Sequence, residues 1–94
     1  MGRDEARDSL LLEAFASELR ARRTEQKLSQ EALADLAHVN RTYIEKLELA
    51  KNQPTLCVLH RLAKALSTEL PDMIEATLKR YKRTRRTEFP SPPG

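Results

Sequence analysis

The chain has 94 residues, 39% of them apolar, and a formal net charge of +3; this length allows one small domain with a modest core. Two glycines and no tryptophan argue against an all-β fold, while the supply of Leu, Ala, Glu, Arg and Lys suits an all-α one. The single cysteine, Cys57, excludes an internal disulfide or a multi-cysteine zinc site, and no apolar run has membrane-spanning length or the pattern of a signal peptide, which makes the cytoplasm the expected compartment.

Residues 1–9 are polar and charged and are expected to form a flexible N-terminus. Ser9 is the predicted cap of a first helix over 10–26, although Leu12 stands where a capping box would have Glu. Leu11, Leu12, Phe15, Ala16 and Leu19 make its apolar stripe, and Arg20, Arg22 and Arg23 sit toward its C-terminal, negative dipole end. Ser29 caps a second helix over 30–37, a turn follows at His38-Val39, and Asn40 caps a third over 41–49. Pro54 closes a loop that begins at Lys51, and Thr55 caps a fourth helix over 56–66 with Leu56, Leu59, Leu62, Ala63 and Leu66 on one face. Pro71 suits the first turn of a fifth helix carrying Met73, Ile74 and Leu78. These elements predict an all-α domain over 10–78.

Charge is distributed unevenly. Residues 1–78 carry 11 Lys/Arg against 13 Asp/Glu, whereas residues 79–94 carry six Lys/Arg against Glu88 alone. The segment 79–94 is expected to be a basic tail, disordered at its end, where Pro90, Pro92 and Pro93 oppose regular structure. It would add phosphate affinity, bind a membrane surface or an acidic partner, or remain a solvated end.

The most telling run is LSQEALADLAHVNRTYIEKL, residues 28–47. Two short helical periods are separated by a break of a few residues, as a helix-turn-helix requires. One helix braces on phosphates while the next presents its first side chains to base edges in the major groove. An arginine at position 41 can bond bidentately to guanine O6 and N7; a phosphate contact or a solvated side chain is the alternative. Thr42 could touch a thymine methyl or a phosphate. Lys46 could reach a base or phosphate, or pair with Glu45 or Glu48. The DNA-binding reading favours phosphate affinity as the role of the basic tail.

With Leu19-Arg20, Arg23, Leu28-Ser29-Gln30-Glu31, Leu33-Ala34, Tyr43-Ile44, Leu47-Glu48, Pro54-Thr55 and Leu62-Ala63-Leu66 in this order, residues 15–74 resemble the Cro/phage-repressor helix-turn-helix family. The resemblance implies a five-helix fold with no cofactor. It implies base contacts from Arg41, Thr42 and Lys46, and phosphate contacts from Gln30, Asn40, Tyr43, Lys51, Asn52 and Thr55. It also implies a buried salt bridge between Arg23 and Glu48, tying the first helix to the end of the third. The chain departs from the pattern where His38 and Ala50 replace the usual glycines, Arg22 replaces an aliphatic residue, and Leu49 places an apolar side chain at an exposed position.

Neither a Ser/His/Asp or Cys/His set nor a glycine-rich loop is present, so catalysis is not expected. His38 and His60 lack partners at ligand spacing, so metal binding is not expected either. The expected function is that of a transcriptional regulator, a repressor binding double-stranded DNA at an inverted repeat as a homodimer. Ile74, Leu78 and Tyr81 are the candidate dimer strip. The alternatives are a controller protein of a restriction–modification system, or an antitoxin whose tail binds a toxin and which regulates its own operon.

Overall fold

The computed structural model describes residues 2–88, with side chains to Thr84. Five helices follow in order: α1 (Arg3–Glu25), α2 (Gln30–Ala37), α3 (Arg41–Glu48), α4 (Leu56–Ala65) and α5 (Leu70–Glu88). The architecture is the expected all-α one.

Three starts are capped as the sequence indicates. The side chains of Ser29, Asn40 and Thr55 accept from the backbone N–H of Ala32, Tyr43 and Val58 at 3.0, 2.8 and 3.1 Å. Each satisfies one of the free donors at a helix N-terminus.

The outer helices run beyond the predicted domain, 10–78. Helix α1 starts at Arg3, so Ser9 lies inside it and residues 3–9 are not a flexible arm. Asp4 and Glu5 occupy its first turn, where acidic groups suit the positive dipole end, and Glu5 Oε2 accepts from the Gly2 N–H at 3.2 Å. Helix α5 runs on past Leu78, through Tyr81 and the basic stretch, to Glu88, one of the two courses the sequence leaves open there, so residues 79–88 are helical. The Arg, Lys and Thr that follow Leu78 contain no helix breaker before Pro90. The proline-containing end, 89–94, lies outside the described residues.

Four helix ends close on left-handed residues, none of them glycine: Lys27 (φ 57°), His38 (φ 58°), Ala50 (φ 59°) and Ser67 (φ 55°). After each, the next N–H reaches back to the last turn: Leu28 to the Arg23 carbonyl, Val39 to Ala34, Lys51 to Lys46 and Thr68 to Ala63, at 2.8–3.1 Å. This is the Schellman closure. It keeps the usual corner geometry at His38 and Ala50, although each carries the Cβ that a glycine lacks. We expect Ala50→Gly to raise stability by about 1 kcal/mol, because a Cβ in the left-handed region costs roughly that much. The melting temperature should rise by about 4–8 °C. No change in thermal unfolding would mean that the corner is not held left-handed in solution.

The core joins Phe15 and Leu19 of α1, Leu33, Ala34 and Ala37 of α2, Ile44 and Leu47 of α3, Val58, Leu62 and Ala63 of α4, Leu66, and Met73 of α5. Helices α1 and α5 lie antiparallel. Glu18 meets Arg80, while Glu13 and Ser17, nearer the start of α1, line a cavity with Arg83 and Thr84, nearer the end of α5.

A candidate nucleic-acid interface

Helix α3 buries Ile44, Leu47 and Glu48. Its opposite face exposes Arg41, Thr42 and Lys46, with the half-buried Glu45 among them, and Leu49 continues the row beyond the helix end. Positions 41, 42, 45, 46 and 49 share one side at helical spacing. The structure therefore brings together the three residues expected to read bases. Among the described residues Lys46 has no ion pair: Glu45 faces Arg41 at 3.8 Å, and Glu48 turns inward.

Glu48 is 5% exposed, and its carboxylate gathers partners from two other helices, α1 and α2. Arg23 grips it with a fork, Nε to Oε2 at 2.6 Å and Nη2 to Oε1 at 3.0 Å. The Gln30 amide donates to Oε1 at 3.1 Å, and Arg20 Nε stands 3.7 Å from the same oxygen. Arg20 Nη2 also donates to the Glu48 carbonyl at 3.2 Å, where a cation suits the end of α3. Arg23 Nη1 donates to the Leu28 carbonyl at 2.9 Å. The hydrogen bond to Glu48 raises the Arg23 pKa above its ordinary value, and burial works against that rise. This cluster fixes the C-terminus of α1, the N-terminus of α2 and the end of α3 in one arrangement. It thereby sets the angle at which α3 is presented.

The positions expected to contact phosphates are placed unevenly. Gln30 stands half-buried at the first turn of α2, with one of its two amide N–H groups engaged by Glu48. Asn40 and Thr55 use their side-chain oxygens as caps, and both are exposed. Lys51 is exposed and Asn52 half-buried in the loop after α3. Tyr43 is half-buried and packs against the core, so part of its ring serves packing. On α5, Ile74 and Tyr81 are half-buried and Leu78 is 41% exposed. They form a stripe beside the buried Met73 and Thr77.

Sequence reading missed a second buried carboxylate. Glu18, 7% exposed, receives Arg22 Nε at 2.5 Å and Arg80 Nε at 2.8 Å. Arg22 Nη1 continues to the Thr68 hydroxyl at 3.1 Å. Arg80, counted among the charges of the basic tail, is thus a structural residue that fastens α5 to α1. One signal was available: Glu18 falls at helical spacing between Phe15 and Arg22, next to Leu19, where a lone carboxylate would be costly without partners. The partner 62 positions away gave no local sign. Arg61 was also missed; its Nε donates to the Ala37 carbonyl at 2.9 Å and ties α4 to the end of α2.

The antiparallel packing also separates the basic stretch from the Gln30–Glu48 cluster. Arg80 meets α1 at Glu18, and the turns beyond it run along α1 away from Arg23. No helix among the described residues is long and apolar enough to cross a membrane. No group of His, Cys, Asp and Glu among them is placed to hold a metal ion.

A short helix braced by a buried ion cluster, followed after a left-handed turn by a helix with an exposed polar face, defines a helix-turn-helix DNA-binding domain. The Helix-turn-helix family profile matches residues 19–73, and the chain belongs to that family. It is 40% identical over 62 residues to control protein C.SmaI of Serratia marcescens, covering 66% of this chain and 74% of the relative. The restriction–modification controller protein C.AhdI of Aeromonas hydrophila superposes with a TM-score of 0.65 at 35% identity, over 66% of this chain and 94% of that one. The clp gene regulator ClgR of Corynebacterium glutamicum shares the fold, with a TM-score of 0.72 at 20% identity over 86% of this chain and 96% of its own. The protein is a DNA-binding regulator of transcription. The profile ends at residue 73, leaving most of α5 and the first two thirds of α1 outside it.

Proposed function

We propose that the chain is a homodimeric, sequence-specific transcriptional repressor that binds an inverted-repeat operator. The observation that carries this reading is the exposed row Arg41, Thr42 and Lys46 on α3, held at a fixed angle by the buried Glu48 cluster. Arg41 bonds a guanine edge, Thr42 and Lys46 contact neighbouring bases, and Gln30 anchors a phosphate at the start of α2. Asn40, Tyr43, Lys51, Asn52 and Thr55 supply further phosphate contacts around the same groove. One such helix reads only a few base pairs, and two-fold pairing doubles the site.

Similarity to C.SmaI and C.AhdI favours a controller of a restriction–modification pair over an antitoxin. The packing of α5 points the same way. A segment already fastened by Arg80 to Glu18 is less suited to fold around a toxin than a free tail would be.

The dimer strip is Ile74, Leu78 and Tyr81. We expect Leu78→Asp to convert a sedimenting dimer to a monomer and to weaken binding to a two-half-site duplex far more than to a single half-site. Its thermal unfolding should stay two-state, because the side chain is exposed. A variant that remains dimeric would place the interface elsewhere.

A further inference from the structure

We infer that Glu45 is a specificity-determining residue that works as a unit with Arg41. The inference rests on the reading that α3 enters the major groove. The carboxylate stands 3.8 Å from the Arg41 guanidinium, and the two side chains are 46% and 57% exposed. Both belong to the exposed row that also holds Thr42 and Lys46.

Helix energetics do not account for this pair. Arg41 is the first residue of α3, where a cation opposes the positive dipole end. Glu45 lies toward the C-terminal end, where an anion is equally misplaced. At this spacing the favourable order is acid before base, and here base precedes acid. A helix of eight residues thus carries a charge pair in the orientation least useful to its own stability, on the face turned outward.

In a groove the same pair has two uses. A carboxylate is repelled by the phosphates on either side, so it is tolerated only where a donor meets it. On the major-groove edge of the bases the donors are the amino groups, cytosine N4 and adenine N6. With Arg41 on guanine O6 and N7, Glu45, one helical turn on, accepts from an amino group on a neighbouring base pair. Its second oxygen keeps the guanidinium plane in register. Guanine and thymine present only acceptors there, so they leave the carboxylate unpaired and are rejected. The pair reads a guanine followed by an amino-bearing base.

The test is to measure Kd on a panel of duplexes in which each operator base pair is changed singly, for the full chain, Glu45→Gln and Arg41→Ala. The full chain should discriminate about tenfold at the pair beside the Arg41 guanine. Glu45→Gln should lose that discrimination or shift it to adenine, which an amide reads bidentately, while binding non-operator DNA at least as tightly as the full chain. Unchanged thermal unfolding of the Glu45→Gln variant would exclude a folding defect. If Glu45→Gln scales affinity for every duplex alike, Glu45 is only a repulsive charge and the inference fails. If Arg41→Ala also leaves the ranking unchanged, the reading of α3 in the groove fails with it. If Arg41→Ala alters the ranking and Glu45→Gln does not, only the role of Glu45 is lost.

Discussion

Glu48→Ala is expected to cost about 3–5 kcal/mol of stability, since removing one partner of a buried pair strands the other charge. Arg23 would lose both arms of its fork, and the Gln30 amide its acceptor. In a domain of this size that loss lowers the melting temperature by more than about 10 °C. The joint replacement Arg23→Met with Glu48→Leu should recover most of the stability, because apolar side chains of similar volume tolerate the same site. It should not recover full operator affinity, because Gln30 would no longer be held. Thermal unfolding of the three proteins checks the first two statements, and titration with operator checks the third. A single variant that melts like the parent would mean that the cluster is not buried in solution.

Arg41→Ala is expected to cost about 1–3 kcal/mol of operator binding and to relax preference at one base pair in each half-site. Stability should hold, since the side chain is exposed and its ion pair with Glu45 runs against the helix dipole. Gln30→Ala is the internal contrast: all duplexes should weaken by similar factors with their order kept. Competition binding on single-base variants separates the two outcomes. Equal effects on ranking would remove the division between a reading helix and a bracing helix.

The centre of the molecule was legible because its signals are local. Ser29, Asn40 and Thr55 stand directly before their helices, and all three caps form. The apolar periods of α2, α3 and α4 match their buried faces except at Leu36 and Leu56, which are 53% and 74% exposed. Arg23 and Glu48 came from resemblance rather than from chemistry, and they meet as implied. The ends were less legible. Ser9 carried a capping signal, yet residues 3–8 hold acids in the first turn and helix formers behind them, so α1 begins earlier. The basic run after Leu78 is compositionally like a tail, but its fate was decided by Glu18 on a distant helix. Arg80 therefore belongs to the fold, and the proposed site draws on α2, α3 and the loop that follows. The role of Gln30 was half visible: its place at a helix start could be read, whereas its bond to Glu48 depends on how α1, α2 and α3 meet.

Selection of bound sequences from random duplex DNA by the full-length chain tests the central claim most directly. Two copies of α3 related by a two-fold axis should enrich an inverted repeat whose half-site centres lie about 10 base pairs apart, with a guanine fixed in each half. Enrichment of no sequence, or of a single asymmetric element, would contradict a dimer that reads DNA through α3.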